Sequence, residues 1–199
     1  MMLEFSNLPD SRPYQLFHQY YQEAEAANQV LAYAFAVSSY NPSTKIVDSR
    51  FVNLKYIDGN DWIFFTNYKG PKAQAFEGHN QISALFNWTA TRMQIRIKAT
   101  IKKIDLIKSD EHFKGRIKEK NAVAIASNQS QKIESYEAIE EKYKKVLENE
   151  DLSKRPDYWG GFAFSPFYIE FWNGKDTRLN HRQVFELIDE DWQDSILQP

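Results

Sequence analysis

An α+β fold whose strands close into a barrel is what the sequence predicts. Three observations carry it: strand-like alternation through the first half, a change to helical period in the middle third, and a return to short strands divided by turn residues. The 199 residues suit one domain over 1–199, with an N-terminal helical segment at 1–30 and a helical insert at 105–150. A single core of this size is ordinary, since cores stop growing only at about 250–300 residues.

The first helix is read from Ser11 as cap, Pro13 in the first turn, and Leu16, Tyr20, Ala24 and Ala27 at helical spacing up to Asn28. Small and large apolar residues alternate over 32–39, and Asn41-Pro42-Ser43 then turns the chain into a second strand at 46–57, giving a hairpin. Asp58-Gly59-Asn60 turns it again into a strand at 62–66, and Gly70-Pro71 opens a short helix at 72–77. Strands follow at 81–88 and 92–104, the second with Ile95, Ile97, Ala99 and Ile101 on one face and Gln94, Arg96, Lys98 and Thr100 on the other.

In the middle third Ser109 is expected to cap a helix running to Arg116, 121–126 is a second helix, and Tyr136, Ile139, Tyr143, Val146 and Leu147 mark a third, amphipathic one. A polar loop at 149–157 leads into strands at 161–164, 167–172, 183–189 and 192–197. The first two are separated at Pro166, and the last two are joined by Asp189-Glu190-Asp191.

Composition excludes several classes. Net charge is -2 with 25 basic and 27 acidic residues, which removes the strong basicity of a general nucleic-acid binder. The absence of cysteine removes disulfides, thiolate metal sites and a Cys nucleophile, and fits the cytoplasm. The first residues, Met1 to Phe5, lack the basic and apolar regions of a leader. No apolar run approaches the roughly 18 residues of a membrane span, so a soluble cytoplasmic protein is expected. The four histidines show no metal-ligand spacing, so no metal is expected, and no Walker loop, Gly-x-Gly-x-x-Gly or Gly-x-Ser-x-Gly occurs.

The stretch from Trp159 to Arg182 is the densest in costly residues: Trp159-Gly160-Gly161-Phe162, then Glu170-Phe171-Trp172 and Arg178-Leu179-Asn180-His181-Arg182. Trp offers a face to a ring, Arg a forked donor to an anion, and paired Gly a close backbone approach, so a flat anionic ligand is expected here. Further basic residues stand at strand ends and turns: Arg50, Lys55, Lys72 and Arg116. Strict alternation puts Arg50 and Lys55 on opposite faces, so both can serve one site only if a bulge intervenes or the ligand wraps the strand end. Gln94 and Gln129 can match the donor and acceptor pattern of a heterocycle.

In this order the pieces resemble the pyridoxamine 5′-phosphate oxidase family of FMN proteins. They are Arg50-Phe51-Val52-Asn53-Leu54-Lys55, Phe65-Thr66-Asn67 with Lys72, Phe86-Asn87-Trp88 with Gln94, Ser127-Asn128-Gln129-Ser130, the motifs of 159–182, and the closing Trp192 with Leu197-Gln198-Pro199. The resemblance implies a split β-barrel homodimer, mostly antiparallel, with peripheral helices and FMN in clefts between the subunits. It implies FMN contacts from Arg50, Phe51, Val52, Asn53, Leu54, Lys55, Phe65, Thr66, Lys72, Gln94, Gln129, Ser130, Trp172 and Arg182. Of these, Arg50 and Lys72 suit the phosphate, and Gln94 and Arg182 the polar edge of the flavin.

Substrate contacts are implied for Lys55, His112, Arg116, Lys120, Arg178 and Asn180, with Arg178 and Asn180 at the reacting end. The implied activity is oxidation of pyridoxamine or pyridoxine 5′-phosphate, a phosphorylated B6 vitamer, to pyridoxal 5′-phosphate, with O2 giving hydrogen peroxide. Oxidation of another ring such as a phenazine precursor, or FMN or pyridoxal-phosphate binding without turnover, are the alternatives. Four positions depart from the family pattern: Asn180 replaces the His of Arg-x-His, His112 and Lys120 replace a Tyr and a Ser of the substrate-phosphate pocket, and Pro71 replaces a basic residue. An amide at 180 cannot titrate as an imidazole does.

Overall fold

The computed structural model describes residues 3–199; Met1 and Met2, the start of the segment read as lacking a leader, lie outside them. Among the described residues nine strands form one mixed sheet: β1 (Glu4–Ser6), β2 (Ala34–Asn41), β3 (Ile46–Asp58), β4 (Asp61–Asn67), β5 (Gln81–Trp88), β6 (Met93–Lys103), β7 (Trp159–Asn173), β8 (His181–Ile188) and β9 (Asp191–Leu197). Helices α1 (Arg12–Ala26), α2 (Pro71–Gly78), α3 (Leu106–Gly115), α4 (Lys118–Ala126) and α5 (Tyr136–Asn149) complete an α+β chain.

β2 pairs with β3 and β5, β5 with β6, β6 with β7, and β4 bridges β7 back to β3, so six antiparallel strands close on themselves. The closure leaves no open edge within the ring. β8 and β9 extend from the far half of β7, where β4 no longer pairs.

Alternation fills the ring. On β6 Ile95, Ile97, Ala99 and Ile101 are buried, as their spacing predicts, and meet Phe35, Phe64, Phe86, Phe162 and Phe164 from the other strands. Helix α1 closes this core with Phe17, whose ring lies 4.3 Å from Trp62 and 5.3 Å from Phe86, while Tyr14 joins Trp62 to Trp192 of β9. Two-residue turns obey backbone rules: Gly59 supplies the left-handed residue between β3 and β4, and Asp189 and Glu190, both at positive φ, form the tight β8–β9 turn.

Four expectations need correction. The strand Glu4–Ser6 was not foreseen; it is three residues long, too short to show a period, and joins β3 in parallel beyond the reach of β2. Pro166 does not end a strand, because β7 runs unbroken past it: Ala99 faces Pro166 and Lys98 faces Tyr168, leaving Phe167 as the extra residue of a bulge. Ser109 does not cap α3. Asp105 does, accepting from the Ile107 amide, while buried Ser109 donates to the Asp105 carbonyl and accepts from the Gly161 amide, pinning the insert to β7.

The glycine pair is the fourth. A Cβ at Gly160 would fall inside van der Waals contact with Tyr68 Oη, and one at Gly161 with Ile104, so side chains of this chain fill the space read as a ligand's approach. Gly160→Ala is therefore expected to destabilise the protein by about 1–2 kcal/mol through overpacking against the Tyr68 ring, whose hydroxyl is held by the Gly161 carbonyl at 3.1 Å. A denaturant midpoint equal to that of the native protein would show that Tyr68 has room to move.

Candidate functional site

The stretch 159–182 is not one place. β7 carries Trp159 at one end, beside Asn67 of β4, and Trp172 near the other, beside Gln94 of β6 and Arg182 of β8. They are thirteen steps apart along the strand, about 40 Å of contour at roughly 3.3 Å each.

At the Trp159 end lies a cleft of about 370 Å³ between β3, β4, the start of α2 and the insert helices. Its lining includes the expected Phe51, Val52, Asn53, Lys55, Phe65, Thr66, Lys72, His112, Arg116, Lys120 and Gln129. Lys55 enters through a bulge, because Leu54 faces Phe64 while Tyr56 faces Ile63, so Lys55 is the unpaired residue and both Leu54 and Ile57 reach the core. Leu54 is thus a core side chain. Ser130, at positive φ, is exposed and outside the lining. Arg50 is also outside it, held by Ser39 Oγ at 2.8 Å and by Asp48.

Four lining side chains are cationic (Lys55, Lys72, Arg116 and Lys120) and none is a carboxylate. They fall into two groups. Buried Lys72 donates to Thr66 Oγ1 and Gln129 Oε1, both at 3.1 Å; burial first, then the neighbouring Arg50, pulls its pKa below the ordinary lysine value. Lys55 is likewise lowered, by burial and then by Lys120 and Arg116. Arg116 lies over the Trp159 ring at 4.5 Å, its Nη1 is buried without a partner, and burial lowers it to about 10. Cations drawn partly out of water with no carboxylate beside them are costly, so the cleft favours an anion.

Between the two groups stands an aromatic stack. Phe65 and His112 lie parallel with centroids 3.7 Å apart, and Trp159 is parallel to Phe65 at 5.4 Å. Burial, then Arg116 and Lys55, lowers the His112 pKa to about 4, so the imidazole is neutral near pH 7.

The Trp172 end holds the remaining expected residues. Gln94, Trp172 and Arg182 are directly paired across β6, β7 and β8, which sets their side chains in one row on one face. Buried Glu170, 0% exposed, accepts from Arg182 Nε at 2.8 Å, Arg96 Nη1 at 3.0 Å and Tyr168 Oη at 2.9 Å. Trp172, Arg178 and Asn180 line a shallow depression, in which Asn180 Oδ1 accepts from the Lys175 amide at 3.0 Å and Arg178 is exposed at positive φ.

Residues that the sequence did not single out for the cleft are Asn67, Ile117, Val123, Ala124 and Ser127, along with Tyr56 behind His112. The three-residue apolar spacing of Leu54 and Ile57 inside a strand signals the bulge that turns Tyr56 toward α3. Among the described residues no cluster of three His, Cys, Asp or Glu side chains could hold a metal, and no helix is long and apolar enough to cross a membrane.

The chain matches two family models, pyridoxamine 5′-phosphate oxidase over residues 23–149 and the pyridoxine 5′-phosphate oxidase C-terminal dimerisation region over 159–199. Pyridoxine/pyridoxamine 5′-phosphate oxidases of Colwellia psychrerythraea and Leptospira biflexa are 33% and 37% identical, covering 96% and 94% of this chain and 88% and 89% of their own. The crystal structure of PhzG from Burkholderia lata, in complex with tetrahydrophenazine-1-carboxylic acid, superposes with a TM-score of 0.90 at 26% identity, over 96% of this chain and 94% of that one. A pyridoxamine 5′-phosphate oxidase-related, FMN binding protein of Nostoc punctiforme shares the fold at 12% identity, with a TM-score of 0.78 over 96% and 100% of the two chains.

Proposed function

The chain belongs to the pyridoxamine 5′-phosphate oxidase family, and on that premise we propose that it oxidises pyridoxamine or pyridoxine 5′-phosphate to pyridoxal 5′-phosphate, using FMN and O2 in a split-barrel homodimer. The observation that carries the reading is the acid-free cleft with its two separate basic groups, which suits two phosphates. Lys72, with Thr66, Gln129 and nearby Arg50, would hold the phosphate of FMN, and Arg116, with Lys55 and Lys120, that of the substrate. FMN, when bound, supplies the ring that takes a hydride from the substrate carbon bearing the amine or hydroxyl and passes the electrons to O2, giving H2O2.

The side chains of this protein bind, orient and exclude water. The row Gln94, Trp172 and Arg182 stands toward the far end of β7 from the cleft of its own chain, and none of the three lines that cleft. A second copy is needed to bring row and cleft together. The match of 159–199 to a dimerisation region supports this, as do the exposed apolar side chains Phe51 at 76%, Val47 at 66% and Ile196 at 63%. In that assembly Gln94 and Arg182 would meet the polar edge of the flavin. Arg178 would cover the substrate, with the Asn180 amide NH2 as a hydrogen-bond donor where its Oδ1 is already engaged by Lys175.

Oxygen uptake with pyridoxamine phosphate, pyridoxine phosphate, their unphosphorylated analogues and a reduced phenazine carboxylate tests the reading. Turnover confined to the phosphorylated vitamers is expected, and preference for the phenazine would move the protein toward PhzG. Lys72→Ala should weaken FMN binding by about 1.5 kcal/mol, roughly tenfold in Kd. An unchanged flavin titration would remove Lys72 from the phosphate seat.

A further inference from the structure

Tyr56 Oη lies 2.8 Å from His112 Nδ1, with the two rings edge to face and centroids 5.4 Å apart. His112 lines both the cleft and a second depression behind it, formed with Glu4, Tyr56, Lys108 and Glu111; Tyr56 lines only the second. The Nδ1 edge is therefore turned outward to Tyr56, and the Nε2 edge, nearly opposite on the ring, is turned into the cleft. Two arrangements satisfy the distance, and they leave opposite groups facing a ligand. If Nδ1–H donated to the phenol, the tyrosyl hydrogen would have no protein acceptor, since His112 is the sole hydrogen-bond partner of Tyr56 Oη among the described residues. Nε2 would then be a bare lone pair beside Arg116. Yet Arg116 Nη1, buried and without a partner, does not donate to it.

We propose that Tyr56 is a positioning residue that donates to Nδ1 and so fixes His112 as the Nε2–H tautomer, an uncharged donor aimed at an oxyanion in the cleft. The inference rests on the reading of the Arg116 end as the seat of the substrate phosphate. Phe65 and Trp159, stacked on the imidazole plane, hold the ring in the orientation that the tautomer requires. Arg116 and Lys55 on the cleft side disfavour a second proton on the ring, while Glu4, Glu111 and Lys108 flank the phenol from the other side. A neutral donor among fixed cations adds direction to phosphate binding without adding a charge that must be desolvated.

Histidine 15N NMR of the FMN-loaded protein at pH 7, with His112 assigned from its loss in His112→Gln, reads the tautomer directly. The expected spectrum has an unprotonated Nδ1 and a protonated Nε2, and the Nε2 signal shifts on adding inorganic phosphate. Tyr56→Phe should mix the tautomers and raise KM for pyridoxamine phosphate about 3- to 10-fold, with kcat within about twofold. An Nδ1–H signature, an imidazolium at pH 7, or an Nε2 signal indifferent to phosphate each overturns the proposal. Should Tyr56→Phe fail to fold, the spectrum of the native protein and its phosphate response decide alone. Absence of turnover with pyridoxamine phosphate would sink the substrate reading, whereas the tautomer stands or falls on its own spectrum.

Discussion

Arg116→Ala is expected to raise KM for pyridoxamine phosphate about 10- to 100-fold while changing kcat by less than about threefold, because one charge-assisted, desolvated phosphate contact is lost in ground and transition states alike. The guanidinium lies over Trp159, its Nη2 donates to the Lys120 carbonyl at 3.3 Å, and its Nη1 is buried and unpaired, so one donor is left for an anion. Two controls separate this from general damage. FMN affinity should show no loss, and thermal stability should be unchanged or slightly improved, since a half-buried charge without an acidic partner has been removed. An unchanged KM for pyridoxamine phosphate would place the phosphate elsewhere.

Glu170→Ala is expected to destabilise the protein by about 3 kcal/mol, or about 6–12 °C in Tm. The carboxylate is fully buried and is the shared acceptor of Arg96, Arg182 and Tyr168; without it two guanidinium groups and a phenol lose their partner. The value sits at the lower end for a broken buried pair because Arg96 is 53% exposed and water can solvate it. Burial raises the Glu170 pKa, but the Arg182 hydrogen bond, then Tyr168 and Arg96, outweigh it and hold the carboxyl below its ordinary 4.5. A folded-state pKa below the unfolded one means that this stabilisation is complete above about pH 4.5 and fades as the solution is acidified. Glu170→Gln should therefore show a flatter acid limb than the native protein. Parallel acid unfolding curves for the two would assign the acid sensitivity to other carboxylates.

The strands were legible because their alternation is long: β5 and β6 appear at the expected places, and the buried face of β6 is the one its spacing names. Closure of the ring was legible only as a class, since the β4–β7 pairing joins segments about a hundred residues apart and leaves no local mark. The cleft was legible in its residue types through family resemblance, but local spacing alone could not gather Lys72, Arg116 and Gln129, which come from different elements. The misreadings share a cause. Pro166 and the glycine pair were judged by what they usually do alone, whereas a bulge accommodates the first and the Tyr68 and Ile104 side chains occupy the second.

The bulge at Phe167 also settles a matter of parity. In an unbroken strand, residues thirteen apart project in opposite directions, so Trp159 and Trp172 would stand on opposite sides of the wall, one of them inside the barrel. One supernumerary residue restores even counting: Phe162 and Phe164 point inward before it, Ile169 and Phe171 after it, and both tryptophans are turned out. Substitution along β7 leaves that count untouched. Deletion of Phe167 itself would only straighten the strand and keep the count even, whereas deletion of one residue elsewhere in β7, with the bulge kept, would invert one end of the strand relative to the other, exchanging an outward indole for a core phenyl ring.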